Sequence, residues 1–131
     1  MKKVVVITGA GRGIGAATAI LLASQGYAVC VNYQSRAENA KQVVDTIEKN
    51  GGQAFAFAAD VSIEADVLAL FSAVQSKYGT VTHLVNNAGI LFAQSTLANL
   101  SVERFNKVLI TNTTSCFLCC REAIRVMPSG G

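Results

Sequence analysis

The stretch from Val4 to Gly26, VVVITGAGRGIGAATAILLASQG, decides the fold of this 131-residue chain. It starts as a short apolar run, continues as a glycine-rich turn, and then carries apolar residues at helical spacing. This order predicts a buried strand, a tight turn and a helix. Glycine backbone at the start of a helix favours an anion, because free N–H groups and the helix dipole both act there. The stretch therefore predicts a strand–turn–helix unit that can hold a phosphate group.

The glycines of this turn can be read in two spacings. One uses Gly9, Gly13 and Gly15, and the other is Gly11-x-Gly13-x-x-Ala16, the usual dinucleotide form. The residues alone leave both spacings open.

The rest of the chain alternates short apolar runs with segments of helical period. The predicted strands are Lys3–Thr8, Tyr27–Tyr33, Gln53–Ala59 and Thr82–Asn86, and the predicted helices are Gly13–Gln25, Ala37–Asn50, Ile63–Tyr78 and Val102–Met127. Strands that alternate with helices through short connections predict a parallel sheet with right-handed crossovers, covered on both faces. We expect an α/β fold with a doubly wound, Rossmann-type parallel sheet in the strand order 3-2-1-4. Residues 1–131 should form a single dinucleotide-binding domain that is truncated before a fifth strand.

Three serines are predicted to cap helices. Ser35 with Glu38 has the spacing of a capping box, and Ser62 and Ser101 each precede a helical pattern.

Charge and composition argue against several function classes. Lys and Arg are scattered and the formal net charge is +3, so we expect no concentrated basic face and no nucleic-acid partner. No apolar run approaches the roughly 20 residues that cross a bilayer, so we expect no membrane partner and a cytoplasmic location. The four cysteines are predicted to be reduced core residues without a metal site: Cys30, Cys116, Cys119 and Cys120.

Polar or glycine-rich stretches follow all four predicted strands. They read TGAGRGIG, NYQSR, ADV and NNAG in chain order. Because the carboxyl ends of parallel strands meet at one edge of a sheet, the four stretches should lie together there. Ligands of doubly wound sheets bind at that edge, where strands 1 and 4 separate.

The end of the second strand bears on the choice of cofactor. NAD-selective sites usually place an acidic residue there, whereas this chain has Asn32 and Tyr33, with no carboxylate before Glu38. Arg12 and Arg36 lie within reach, and guanidinium groups suit a 2′-phosphate. NADP(H) is therefore the preferred cofactor and NAD(H) is possible. Arg12 and Arg36 could instead be solvated surface residues.

The motifs TGAGRGIG (Thr8–Gly15), ADVS after the third strand, NNAG (Asn86–Gly89) and VLITNTTSCFLCCREAI in the last helix occur in this order. With them the chain resembles the short-chain dehydrogenase/reductase family over essentially all of its length. The resemblance is to the subgroup with a Thr-Gly-x-x-x-Gly-x-Gly turn. The stretch VNYQSRAENA is similar to the glucose dehydrogenase and 3-oxoacyl carrier-protein reductase branches.

The resemblance implies roles for the residues of these motifs. It selects the glycine spacing 9, 13 and 15. It also implies that Asn86 ties the central strands together. Thr8 would brace the turn. Asp60 and Val61 would hold the adenine edge by side chain and backbone. The other implied cofactor contacts are Gly9, Arg12, Gly13, Ile14 and Gly15 in the turn, and Asn87, Ala88 and Gly89 along the nicotinamide ribose.

Asn112 falls on an apolar stripe of the last predicted helix. The stripe consists of Phe105, Val108, Leu109, Cys116, Cys119, Cys120, Ala123 and Met127. A buried amide without partners costs about 1–3 kcal/mol, so Asn112 needs a reason to be there. It could hydrogen-bond a neighbouring backbone group. The resemblance implies instead that Asn112 holds a water molecule in a proton relay, and we assign it to catalysis.

The resemblance implies hydride transfer between a nicotinamide ring and a carbonyl or alcohol carbon of a small molecule. The family's serine ends strand 5, and its Tyr-x-x-x-Lys pair opens the next helix. No tyrosine of this chain (Tyr27, Tyr33 or Tyr78) has a lysine four residues later. We therefore expect the cofactor-binding half of an NADP(H)-preferring oxidoreductase, inactive by itself, from a family whose members often form homotetramers. The alternative is a nucleotide-binding module without catalysis.

Overall fold

Four parallel strands form one sheet in this computed structural model, which describes residues 1–131. The strands are β1 (Val4–Ile7), β2 (Ala28–Tyr33), β3 (Gln53–Ala58) and β4 (His83–Val85), in the order β3-β2-β1-β4. Each neighbouring pair is parallel. The predicted fold class and strand order are therefore confirmed.

Five α-helices accompany the sheet. They are α1 (Gly13–Ser24), α2 (Ala37–Lys49), α3 (Glu64–Tyr78), α4 (Val102–Leu109) and α5 (Ser115–Val126), with a short 3₁₀ turn at Leu97–Asn99. None of the helices combines the length and the apolar character that crossing a membrane requires.

The two faces of the sheet bury two separate apolar clusters. On β1, Val5 and Ile7 pack with residues of α1 and α2, whereas Val4 and Val6 pack with residues of α3 and α5. Successive side chains of a strand point to opposite faces, so a strand covered on both sides must be apolar throughout. The continuous run VVVI therefore lies at the centre of the sheet, and its carboxyl end leads directly into the glycine turn.

The helix caps follow the prediction at one of three positions. Ser101 accepts a hydrogen bond from the Arg104 N–H at 3.2 Å and caps α4. The predictions for Ser35 and Ser62 were wrong, because α2 begins after Arg36 and α3 after Ile63, neither with a side-chain cap. At both places the chain runs one residue further before it becomes helical.

The last predicted helix is divided by a π-helical segment, Ile110–Thr114. A π turn contains an extra residue, so positions before and after it do not stay on one face. The predicted stripe was right at Cys119 and Ala123, which are buried, and wrong at Phe105, Leu109 and Cys120, which are exposed. No residue of α4 is buried, so Phe105 and Leu109 are exposed with the rest of that helix. The buried face of α5 consists of Ser115, Leu118, Cys119, Glu122 and Ala123.

Candidate functional site

The carboxyl ends of the four strands meet in one cleft of about 470 Å³, which we call the strand-end cleft. Twelve of the fifteen predicted site residues line it: Gly9, Arg12, Gly13, Ile14, Asn32, Tyr33, Arg36, Asp60, Val61, Asn87, Ala88 and Gly89. Thr8 and Gly15 are buried behind this lining, and Asn112 also lies outside it.

The glycine turn requires glycine at 9, 13 and 15. Gly9 and Gly13 have φ values of +61° and +57°, which L-residues with side chains rarely adopt. A Cβ atom on Gly15 would lie 2.7 Å from the Gly9 carbonyl oxygen and 2.9 Å from the Ala10 Cα. A Cβ on Gly11 would meet nothing closer than 3.6 Å. Of the two spacings that the residues left open, the structure therefore favours 9, 13 and 15.

Thr8 and Asn87 join the glycine turn to the segment after β4. The Thr8 hydroxyl accepts hydrogen bonds from the N–H groups of Asn87 and Ala88, both at 3.0 Å. The Asn87 amide donates to the carbonyl oxygens of Thr8 and Gly9, also at 3.0 Å. The expected bracing by Thr8 is present, and Asn87 fixes the two sides of the cleft to each other.

Asn86 does not make the tie between central strands that the resemblance implied. Its side chain is exposed and donates to the Cys120 sulfur at 3.2 Å. The bonds between the β1 and β4 ends come from Asn87, the next residue, because successive side chains at a strand end point to opposite sides.

Asn32 is a buried connector at the end of β2. Its side chain is 2% exposed, and its Oδ1 accepts a hydrogen bond from the Gly9 N–H at 3.2 Å. Its Nδ2 donates to the carbonyl oxygens of Phe57 and Ala59 at 3.3 and 3.2 Å. An aspartate would place a carboxylate against those two carbonyl oxygens. These hydrogen bonds therefore explain an amide at position 32 without reference to the cofactor.

Arg12 and Arg36 are exposed cations on the cleft, and neither forms an ion pair within the chain. Arg12 immediately precedes α1 and Arg36 immediately precedes α2. Two guanidinium groups thus lie at the mouth of the cleft with their hydrogen-bond donors available to a ligand anion.

Asp60 is held at the β3 end of the cleft by hydrogen bonds to both carboxylate oxygens. Oδ1 accepts from the Ser62 N–H at 3.0 Å and from its hydroxyl at 2.6 Å. Oδ2 accepts from Gln34 Nε2 at 3.2 Å. The Asp60 N–H donates to Asp66 Oδ2 at 2.8 Å, which fixes the backbone at the same place.

Asn112 lies in the π-helical segment and contacts the residue after the NNAG motif. Its Oδ1 accepts from the Ile90 N–H at 2.7 Å and its Nδ2 donates to the Ile90 carbonyl oxygen at 3.0 Å. The backbone-bonding role that the sequence left open is therefore present. Its neighbour Thr111 lines the cleft.

Sequence reasoning missed seven residues of the cleft lining. Six of them are direct neighbours of predicted site residues in the sequence, so extending each predicted set by one position would have found them. The seven are Gly11, Gln34, Ser35, Asn39, Ala59, Ile90 and Thr111. Asn39 lies in the first turn of α2 and is not a sequence neighbour of any predicted site residue.

Comparisons with known proteins agree on one family. A family model described as short chain dehydrogenase matches residues 3–131. The Escherichia coli protein named uncharacterized oxidoreductase YgfF is 51% identical over 124 residues, which cover 95% of this chain and 50% of that protein. The 3beta-hydroxysteroid dehydrogenase of Mediterraneibacter gnavus is 41% identical over 131 residues, which cover 99% of this chain and 47% of that protein.

Solved structures give the same result. A double mutant of a Serratia marcescens short-chain dehydrogenase/reductase matches with a TM-score of 0.94 and 35% identity, over 98% of this chain and 52% of the other. The chain thus spans about half the length of the relatives that it matches.

Proposed function

Because the chain belongs to the short-chain dehydrogenase/reductase family, we propose that the complete protein transfers a hydride between NADP(H) and a small carbonyl or alcohol substrate. The strand-end cleft carries this proposal. It combines a turn that excludes side chains at Gly9 and Gly15 with two unpaired cations, Arg12 and Arg36. These 131 residues would supply the cofactor-binding part, and none of their tyrosines has a lysine four residues later.

The residues of the cleft fit a dinucleotide. Neighbouring atoms pack directly against Gly9 and Gly15, whereas nothing lies within 4 Å of a Cβ atom placed on Gly13. A pyrophosphate therefore has room beside Gly13, at the N-terminus of α1. Asp60 and Val61 would hold the adenine edge, and Asn87, Ala88 and Gly89 would lie along the nicotinamide ribose. When bound, the cofactor supplies or accepts the hydride. The chain's own part is to bind and orient it.

The preference for NADP(H) rests on Arg12 and Arg36. A 2′-phosphate carries about two negative charges at neutral pH, and guanidinium groups bind phosphate oxygens in pairs. Both arginines line the cleft near the end of β2, together with Ser35. NAD(H) lacks the phosphate and should bind more weakly. The hydrogen bonds of Asn32 already explain why no acidic residue stands at position 32. The preference for NADP(H) therefore depends mainly on the two arginines.

Asn112 remains a proposed member of a proton relay. Its position supports the proposal in two ways: it lies in a π-helical segment, a feature frequent at functional sites, and its neighbours Ile90 and Thr111 line the cleft. Its bonds to Ile90 hold it in place beside the segment that would contact the nicotinamide ribose.

Association into a homo-oligomer is also proposed. Exposed apolar side chains occur along α4 and α5, where they would be covered by a second copy of the protein. They are Phe105, Leu109, Phe117 and Ile124. Light scattering of the complete protein should give a mass above that of one chain, with a tetramer expected.

A binding titration of the complete protein tests the function. The fluorescence of NADPH should rise on binding, and its dissociation constant should be at least about tenfold lower than that of NADH. Oxidation of NADPH is then followed at saturating cofactor with a panel of ketones and aldehydes. Binding without turnover of any carbonyl would support the non-catalytic module. Absence of binding at millimolar cofactor would contradict the proposal.

A further inference from the structure

A second cavity of about 670 Å³ adjoins the strand-end cleft. Gln34, Asp60, Ile90 and Thr111 line both spaces, so the two share one wall. The far side of the second cavity is formed by the segment after Ile90 and by one face of α4. Its volume lies within the range of small-molecule sites, roughly 300–1,000 Å³.

The wall shared by the two cavities contains Asp60, whose carboxylate can accept one more hydrogen bond. Asp60 Oδ1 already accepts two hydrogen bonds from Ser62, whereas Oδ2 accepts one, from Gln34. A carboxylate oxygen has two lone pairs, so Oδ2 can accept one further hydrogen bond. The hydrogen-bond donor of an adenine ring is its exocyclic 6-amino group. An adenine held by Asp60 therefore has that amino group at the wall between the two cavities.

The remaining walls of the second cavity suit an uncharged aromatic group. Leu91, Phe92 and Ile110 supply apolar surface. The Lys107 ammonium lies 6.0 Å from the centre of the Phe92 ring. The same cation can contact the face of an aromatic ring in a ligand. Glu103 on the same face of α4 offsets the charge of Lys107, which leaves no net attraction for an anion.

We propose that the second cavity is a subsite for an aromatic substituent on the 6-amino group of the adenine, so that the protein binds 6-arylalkylamino analogues of its cofactor. This proposal rests on the proposed function, because it requires adenine at Asp60. A secondary amine on the ring keeps one N–H for Asp60 while its substituent enters the second cavity.

Two probes test the subsite in the complete protein by isothermal titration calorimetry. They are 2′,5′-ADP and its analogue with a benzyl group on the 6-amino nitrogen. We expect the analogue to bind within about threefold of the parent or more tightly. Asn106 lines the second cavity but not the strand-end cleft. Asn106→Trp should therefore weaken binding of the analogue by about tenfold or more and leave binding of the parent unchanged. Val102→Trp, on α4 but outside both cavities, is the matched control.

The outcomes separate the two proposals. If the parent does not bind, the proposed function fails and the subsite fails with it. If the parent binds and the benzyl analogue is weakened beyond threefold, the subsite alone is refuted. It is likewise refuted if Asn106→Trp weakens both probes equally or leaves the analogue unaffected.

Discussion

Asn112 and Ile90 exchange two hydrogen bonds, as two paired residues of neighbouring strands do. The Ile90 N–H donates to Asn112 Oδ1 at 2.7 Å, and Asn112 Nδ2 donates to the Ile90 carbonyl oxygen at 3.0 Å. The pair attaches the segment that follows β4 to the π-helical segment Ile110–Thr114. Because Ala88 and Gly89 lie just before Ile90 on the cleft, this attachment fixes one of its walls.

Asn112→Ala should therefore lower both stability and turnover of the complete protein. Loss of both bonds leaves the partly buried Ile90 backbone without partners, which costs about 1–3 kcal/mol of unfolding free energy. Urea denaturation measures that loss, and kcat at saturating NADPH measures the effect on the relay. Thr113→Ala, at the exposed neighbouring position, is the control. A wild-type kcat in Asn112→Ala would exclude Asn112 from the relay.

The two central strands were predictable from the sequence because one local property, the apolar character of successive residues, decides their burial. Residues 4–7 and 28–31 are apolar without interruption, which indicates strands buried on both faces, and these positions are buried. The break in the last helix could not be predicted in this way. A π turn changes the register by one residue without any proline or glycine to mark it. The buried face of α5 accordingly includes Ser115, Leu118 and Glu122, which the predicted stripe left out.

The site was predictable to the extent that strand ends converge. Twelve predicted residues meet in one cleft because parallel strands bring their carboxyl ends to a common edge. The partners of individual side chains were not predictable, since they depend on which side of the backbone each residue faces. Asn86 and Asn87 illustrate this: adjacent and chemically identical, one contacts Cys120 and the other joins the glycine turn.

Gly15→Ala should disrupt the glycine turn, whereas Gly11→Ala should be tolerated. The new Cβ at position 15 would lie 2.7 Å from a carbonyl oxygen, and backbone must move to admit it. At position 11 the nearest atom would be 3.6 Å away, which is ordinary contact. We expect Gly15→Ala to weaken NADPH binding by about tenfold or more and to lower the midpoint of urea denaturation. Equal behaviour of the two variants would mean that the spacing 9, 13 and 15 is wrong.

Arg12→Ala should weaken NADPH binding more than NADH binding. A charge-assisted hydrogen bond to phosphate contributes about 1.5–3 kcal/mol, so a loss of tenfold or more is expected for NADPH alone. Arg36→Ala should act in the same direction, and the double variant should bring the two affinities together. Lys49→Ala removes one exposed positive charge at the far end of α2 and controls for net charge. Equal losses for both cofactors would show that these arginines do not contact the 2′-phosphate.

The stability of the complete protein should fall as the pH rises above about 9. Burial, followed by the neighbouring Cys120 and Cys116, raises the pKa of Cys119 from 9.0 to about 12, and burial also raises the pKa of Cys30. Between pH 9 and 12 the unfolded chain loses the Cys119 proton while the folded chain keeps it. Unfolding is then favoured, by up to about 1.4 kcal/mol per pH unit for each thiol.

Cys119→Ala isolates this contribution. The variant loses stability at pH 7 because a buried side chain is shortened, but its unfolding free energy should decline less steeply from pH 9 to 10.5 than that of the wild type. Ser115→Ala is the matched control, since Ser115 is also buried on α5 and carries no group that titrates in this range. It should be destabilised yet keep the wild-type slope. A Cys119→Ala slope equal to that of the wild type would mean that the thiol is ionised in the folded protein as readily as in the unfolded chain.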